Sequence, residues 1–234
     1  MPAELSVDEA LRARRSVRRF LDRPVPQPLV REILEAAGRA PSGTNIQPWY
    51  VHVVAGACRQ LVSAAVLKAA EAGRGDPDYA YAADPLPEPY LGRRRKVGYD
   101  LYALRGIDPG DYPARRAAML DNYRFFGAPV GLFFTLERTM EVGAWLDVGL
   151  FMQSIMLAAV ARGLATCPQQ SWCEYGATVR KTLGIGDDRL LVSGMALGWE
   201  QPDAPENRQR SERIDVDGFA TWLGFTEQAG RAPD

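Results

Sequence analysis

Helical periodicity dominates the pattern of apolar and polar positions. Leu29, Ile33, Leu34 and Ala37 recur on one helical face after Val25-Pro26-Gln27-Pro28, and Pro41-Ser42-Gly43 ends that helix. Ser6 followed by Glu9 is a capping-box pattern that opens a shorter helix from Val7 to about Arg14. Further helices are predicted over Arg59–Ala72, Leu91–Leu104, Ala114–Phe125, Glu174–Leu183 and, at the end, Val216–Leu223. Trp49–Ala55, Pro129–Leu136 and Leu190–Leu197 are rich in β-formers and predict strands. A further short strand is predicted to stop at Pro168.

Gly143–Arg162 differs from the other helices because apolar residues occupy nearly every face. Such a helix must be buried all round, and in a chain of 234 residues a second subunit is one way to bury it. Residues 73–90 show no period. Gly73, Gly75, Pro77, Pro85, Pro87 and Pro89 break the segment among tyrosines and acids, which predicts a long loop of the kind that often covers a functional site. Helices outnumber strands and do not alternate with them. The expected class is therefore α+β with a mixed or antiparallel sheet.

Composition narrows the function. Lys and Arg total 28 against 29 Asp and Glu, a net charge of -1, so no global field favours nucleic acid or an anionic membrane. One histidine, His52, and three cysteines, Cys58, Cys167 and Cys173, leave no four-thiolate zinc site, and no metal site is expected. Met1-Pro2-Ala3-Glu4-Leu5 lacks a signal-peptide pattern, and the most apolar stretch, Trp145–Val160, falls short of a bilayer span. A cytoplasmic protein with reduced thiols is the expectation.

Four segments carry candidate chemistry. Arg14-Arg15-Ser16-Val17-Arg18-Arg19-Phe20 sets guanidinium forks beside a hydroxyl, which suits a phosphate. In an extended chain Ser16, Arg18 and Phe20 share one side, whereas a plain reading is a solvated helix end. Pro41-Ser42-Gly43-Thr44-Asn45-Ile46-Gln47-Pro48-Trp49 is a rigid, donor-rich loop or simply a connection. Gly163-Leu164-Ala165-Thr166-Cys167-Pro168-Gln169-Gln170-Ser171-Trp172 offers backbone donors past the proline, with Cys167 read as buried and structural. Asn207-Arg208-Gln209-Arg210-Ser211-Glu212-Arg213 repeats the arginine and hydroxyl pairing in a polar arm, so the two clusters are compatible with one shared anion. Gly184-Ile185-Gly186 is not a dinucleotide fingerprint, and Arg93-Arg94-Arg95-Lys96 reads as a solvated helix face.

Taken in order, these four segments resemble the FMN-dependent nitroreductase family from about Glu9 to Leu223. The stretch from Pro87-Glu88-Pro89-Tyr90 to Ala128-Pro129 is similar to the branch of nitrobenzoate and other nitroaryl reductases. The resemblance implies a single α+β domain over 1–234, with an insertion at about 73–127 and a C-terminal arm from about 200. It implies a homodimer with two FMN sites at the subunit interface. Arg14, Arg15, Ser16 and Arg18 would hold FMN from one subunit, and Arg208 and Arg210 would complete the phosphate site, while the resemblance leaves the role of Arg213 open. Pro41, Ser42, Gly43 and Asn45 would approach from the other subunit, and Pro168, Gln169, Gln170 and Ser171 would line the ring edge.

The implied activity is ping-pong reduction of nitroaromatics or quinones by NADH or NADPH, with the chemistry carried by the flavin and no catalytic side chain or metal. A flavin oxidase or dehydrogenase of a metabolite, and a flavin-binding module without turnover, are the alternatives.

Overall fold

The computed structural model describes residues 5–225. Met1–Glu4, part of the segment examined for a signal peptide, and residues 226–234 lie outside the described residues. The elements in chain order are α1 (Val7–Ala13), α2 (Gln27–Ala37), β1 (Tyr50–Ala55), α3 (Gly56–Glu71), α4 (Tyr90–Leu104), α5 (Tyr112–Leu120), β2 (Val130–Glu137), α6 (Val142–Val160), β3 (Ala165–Gln169), α7 (Gly176–Leu183) and β4 (Arg189–Gly198).

The strands form one antiparallel sheet in the order β1-β2-β4-β3. β2 and β4 are central and buried along almost their whole length, which is why their sequences run apolar without clean alternation. Leu132, Phe134 and Leu136 face the layer of α2 and α6, whereas Phe133 faces α3, α7 and an aromatic group of Tyr123, Phe125 and Trp172. Helices therefore cover both faces of the sheet. Close packing on the aromatic side depends on Gly131 and Gly194. A Cβ at either position would collide with the ring of Phe125 or Trp172.

Several sequence expectations change. The helix predicted through Phe125 ends at Leu120 and continues as a 3-10 turn over Asp121–Gly127. Phe125 and Phe126 adopt φ of 53° and 55°, turning both rings into the core, and burial of these rings outweighs the local strain. The helix predicted from Glu174 starts at Gly176, after a 3-10 turn over Gln170–Tyr175. The closing helix over Val216–Leu223 is a single 3-10 turn, Val216–Gly218. Phe219, Trp222 and Leu223 are exposed there, so no packed face supports a longer helix. Pro168 does not stop β3, which continues to Gln169 with Pro168 opposite Met195. An edge strand tolerates the missing N–H.

Helix α6 also departs from expectation. It has 19 residues and a mean hydropathy of 1.5, which makes it the one helix among the described residues long and apolar enough to cross a membrane. Val142, Gly143 and Ala144 extend the apolar stretch Trp145–Val160 by the three residues that bring it to this length. Its inner face, including Val148, Phe151 and Ile155, lies in the core against α2 and the sheet. Its outer stripe of Val142, Leu146 and Leu150 is exposed, with Leu146 at 69%. Within one chain the helix is therefore only half covered.

Candidate functional site

The N-terminal segment reaches the sheet as an extended strap. The capping box is present: Glu9 N–H donates to Ser6 Oγ (3.3 Å), and Glu9 accepts from Ser6 N–H (2.7 Å). Beyond α1, Ser16 bridges Thr166 of β3, Val17 N–H donates to Thr166 O (3.0 Å), and Leu21 N–H donates to Trp199 O (2.9 Å). Val17 and Phe20 are buried and anchor the strap. Phe20 therefore does not share the side of Ser16 and Arg18. The N–H groups of Arg18 and Arg19 both donate to Asn207 Oδ1 (2.8 and 3.1 Å).

Asn207 fastens the C-terminal arm to this strap. Its amide also donates to Arg19 O (2.8 Å) and Gln201 O (2.9 Å), so this buried side chain is fully engaged. Two ion pairs reinforce the junction, Arg15 with both oxygens of Glu200 at 2.5 Å and Arg19 with Glu206 at 3.0 Å. Asn207, Glu200 and Glu206 were not singled out as site residues. Their partners are more than 180 residues away, so no local signal marks them.

Strap and arm enclose a cavity of about 540 Å³. Arg14, Arg15, Ser16, Arg18 and Arg210 line it together, and Arg213 and Ser211 join them. Among the described residues no acidic side chain lines it. Among the described residues Arg14, Arg18, Arg210 and Arg213 form no ion pair. Burial, and secondarily the charge of Arg213, pushes the Arg14 pKa down. Four guanidiniums held together without a counter-charge repel one another, and an anion in the cavity relieves that repulsion. Arg18 is oriented by Gln209 Oε1 (2.8 Å), while Gln209 Nε2 is fixed on Val97 O of α4 (2.7 Å). Arg208 is exposed and lines a neighbouring cavity with Asp100 and Leu104 instead.

Cys167 lies buried beside Ser16, Arg14 and Arg18. Burial pushes its thiol up, more than those neighbours pull it down, which agrees with a structural cysteine. β3 carries the same edge away from Thr166. At about 3.3 Å per residue, Gln169 is roughly 10 Å further along. Buried polar atoms without a partner accumulate on this segment: Thr166 Oγ1, Gln169 Oε1 and Ser171 Oγ. Such atoms are costly unless a ligand or water satisfies them. Pro168, Gln169, Gln170 and Ser171 thus lie along the strand rather than in the arginine cavity.

Tyr79, which the sequence could not place, sits on this segment. Its hydroxyl donates to Val192 O (2.7 Å) and accepts from Gln170 Nε2 (3.0 Å), and its ring meets Trp145 of α6 edge-on at 4.5 Å. The irregular segment 73–90 is therefore anchored. Asp78, part of the same segment, has a buried side chain that accepts from Arg180 (3.0 and 3.1 Å), from Leu191 N–H (2.8 Å) and from Arg138.

The loop Pro41–Gln47 is elsewhere. Pro41, Gly43 and Asn45 are exposed, Ser42 is half-buried, and none of them lines the cavity. Thr44, Asn45 and Gln47 have φ of 46°, 62° and 47°, three left-handed non-glycine residues in one short loop. Strain of this kind concentrates at binding sites. Gly43 N–H is held by the buried carboxylate Asp147 of α6 (3.1 Å), and Gln47 N–H by Ser42 Oγ (3.0 Å). One turn of α6 beyond its exposed stripe, Gln153 lines the arginine cavity, so the stripe leads directly into it.

A phosphate-bearing ligand with a polar ring fits these residues, its anion on the arginines and its ring toward the unpartnered atoms of 166–171. Among the described residues no group of three His, Cys, Asp or Glu side chains is placed to hold a metal ion.

Comparison with known proteins gives consistent matches. Residues 11–199 match the family model described as the Nitroreductase family. The chain is 39% identical over 228 residues to chloronitrobenzene nitroreductase of Comamonas testosteroni, covering 95% of this chain and 99% of that protein. It is 56% identical over 221 residues to a protein named NADH dehydrogenase in Thermus thermophilus, covering 92% and 98%. The crystal structure of the FMN and NADPH-dependent nitroreductase NfnB from Sphigopyxis sp. strain HMH superposes with a TM-score of 0.92 at 47% identity, covering 94% of this chain and all of that one.

Proposed function

The chain belongs to the nitroreductase family, and from that premise we propose that it is an FMN-dependent oxidoreductase that takes electrons from NADH or NADPH and reduces nitroaromatic compounds, with quinones as a further acceptor class. The observation that carries this reading is the cavity of four unpaired arginines, continued along β3 by buried polar atoms without partners. A bound flavin would supply the redox chemistry that links oxidation of the nicotinamide nucleotide to reduction of the second substrate.

The chain's own residues bind and orient. Arg14, Arg18 and Arg210 neutralise the phosphate, assisted by Ser16 and Arg213. Arg15 keeps the strap in shape through Glu200, and Arg208 stands outside the cavity as a more distant charge. Arg18, pinned by Gln209, also supplies fixed positive charge toward the ring, a preorganised electrostatic contribution. Pro168, Gln169, Gln170 and Ser171 offer donors and acceptors along the ring edge. No side chain need act as nucleophile or acid.

In this reading the chain is one domain over 1–234, with an insertion at about 73–127 and an arm from about 200. It works as a homodimer in the cytoplasm on small molecules, bound to neither membrane nor nucleic acid. The exposed stripe Val142, Leu146 and Leu150 supports a dimer, because a partner laid on it also closes the open side of the cavity. The partner's Pro41, Ser42, Gly43 and Asn45 would then face the ring.

Anaerobic titration tests the activity. The purified protein should be yellow, release FMN on heating, bleach with NADH or NADPH and regain colour with a nitroarene. Absence of flavin sinks the reading, and bleaching by neither nucleotide favours a metabolite oxidase or a module without turnover. The shared site has its own test. A variant altered at Arg14 and Arg210 and another altered at Ser42 and Asn45 should each be inactive yet regain part of the activity on co-refolding. A verified mixed dimer without activity overturns the shared site.

A further inference from the structure

Among the described residues, buried charged side chains come with a counter-charge, with one exception. Arg180 is paired with Asp78 (3.0 Å), and Glu206 with Arg19 (3.0 Å). Asp147 of α6 is 6% exposed and forms no ion pair. It lies in the second turn of the helix, beyond the first-turn reach of the helix dipole. A buried carboxyl group without a cation is costly, so packing alone gives no reason for an acid at this position.

Its side chain accepts a hydrogen bond from Gly43 N–H of the loop 41–47 (3.1 Å). Gly43 is exposed, so water could satisfy that N–H equally well. The bond therefore rescues no buried donor; it gives the loop a fixed place. The loop needs one, because Thr44, Asn45 and Gln47 hold left-handed backbone, and such residues persist only when their surroundings constrain them. Gln47 is constrained from within, its N–H on Ser42 Oγ (3.0 Å) and its Nε2 on Asn45 O (3.2 Å). Among the described hydrogen bonds of residues 41–47, the one to Asp147 alone leaves the loop. On α6, Asp147 follows Leu146 and stands about one turn before Leu150, two exposed residues of the outer stripe. The tie thus sets the loop at the margin of the surface assigned above to the second subunit.

We propose that Asp147 is a positioning residue for the flavin of the partner subunit: through Gly43 it fixes the loop in the form in which Ser42 and Asn45 are presented across the interface, at a cost to the stability of its own chain. This rests on the shared-site reading above. A side chain that serves the site against the interest of the fold has a signature of its own, because its removal strengthens the fold and weakens binding. A side chain that serves the fold shows the opposite.

Asp147→Leu and Asp147→Asn test this in the full-length protein. Leucine fills the space without an acceptor, whereas asparagine keeps an oxygen for Gly43 N–H. In Asp147→Leu the affinity for FMN, read by quenching of flavin fluorescence, should fall about tenfold, the scale of one lost hydrogen bond. The same variant without flavin should melt at or above the temperature of the flavin-free parent. Asp147→Asn should bind FMN as the parent does. Unchanged affinity in Asp147→Leu, or an equal loss in both variants, overturns the proposal. A flavin-free Asp147→Leu that melts well below the parent, or does not fold, makes Asp147 a structural residue and overturns it too. Co-refolding fixes which flavin is served. With the variant altered at Arg14 and Arg210, Asp147→Leu should restore a tight FMN site in each mixed dimer; with the variant altered at Ser42 and Asn45 it should not. The reverse pattern would tie Asp147 to the flavin of its own chain and overturn the proposal. A parent that binds no flavin removes the function proposed above, whereas the overturning outcomes, in a parent that binds flavin, remove only the role of Asp147.

Discussion

Arginine appears in two opposite arrangements in this molecule. Beneath the segment 73–90, Arg180 and Arg138 converge on Asp78, Arg180 also reaches Asp187 (2.6 Å), and Leu191 N–H completes the set. Every charge there has its counterpart inside the chain. At the cavity, Arg14, Arg18, Arg210 and Arg213 gather with no acid among the lining residues. The first arrangement holds the fold together. The second has no carboxylate partner among its lining residues, an arrangement suited to an anion. Internal compensation of charge, rather than the number of arginines, separates a structural cluster from a binding cluster.

The sharpest way to break this comparison is to remove the acid from the compensated cluster. Asp78→Ala leaves the buried Arg180 with only the solvent-exposed Asp187 as a partner, and the loss of the buried partner should cost about 3–5 kcal/mol. For a protein of this size that lowers the melting temperature by on the order of 10 °C, read by calorimetry. A melting temperature equal to the parent's would mean that the cluster is no anchor.

Next comes the uncompensated cluster. Arg210→Ala should weaken FMN binding about 30- to 3000-fold, from a loss of about 2–5 kcal/mol. The flavin-free protein should meanwhile stay within about 0.5 kcal/mol of the parent, since the exposed Arg210 gives up no ion pair and only hydrogen bonds to the Asn207 and Gln209 carbonyls. Retention of flavin through dialysis equal to the parent's would make Arg210 a solvated arm residue. A large loss of stability without flavin would blur the distinction between the two clusters.

The smallest effect is one of pH. Burial pushes the Asp78 carboxyl up, but the hydrogen bonds from Arg180, Leu191 and Arg138 outweigh it, and its pKa lies below the usual carboxylate value. A carboxylate depressed in the folded state contributes stability that is fully present above its unfolded pKa, about 4, and is lost as pH falls through the folded value. Urea unfolding of the parent and Asp78→Ala should therefore show a gap that is constant near neutrality and narrows in acid. A gap independent of pH would assign the loss to packing rather than charge.

Much of the fold was legible along the chain because its signals are local. The Ser6–Glu9 capping box, the α2 face through Ile33 and Ala37, and the apolar runs of β2 and β4 depend on neighbours within a turn or a strand, although Val30 is buried on that face while the expected Leu29 and Leu34 are only partly covered. The errors lie where distant packing overrides local preference. Phe125 and Phe126 take left-handed backbone to reach a core shared with Trp172, and Val216–Leu223 lacks a surface to fold against. Pro168 stays in β3 because β4 lies on one side only.

By itself, the sequence determined which chemistry is available: two arginine and hydroxyl clusters near opposite ends of the chain, a constrained loop at 41–47, and no histidine cluster for metal work. Those properties belong to residue types and spacing, and folding cannot change them. Tertiary structure alone decided which of the arginines are free. Arg15 is neutralised by Glu200, 185 residues away, whereas Arg14, one residue earlier, forms no ion pair among the described residues and lies near Arg213 and the buried Cys167 thiol. A charge is compensated or exposed according to what lies within a few ångströms of it, and for these side chains that neighbour comes from the far end of the chain.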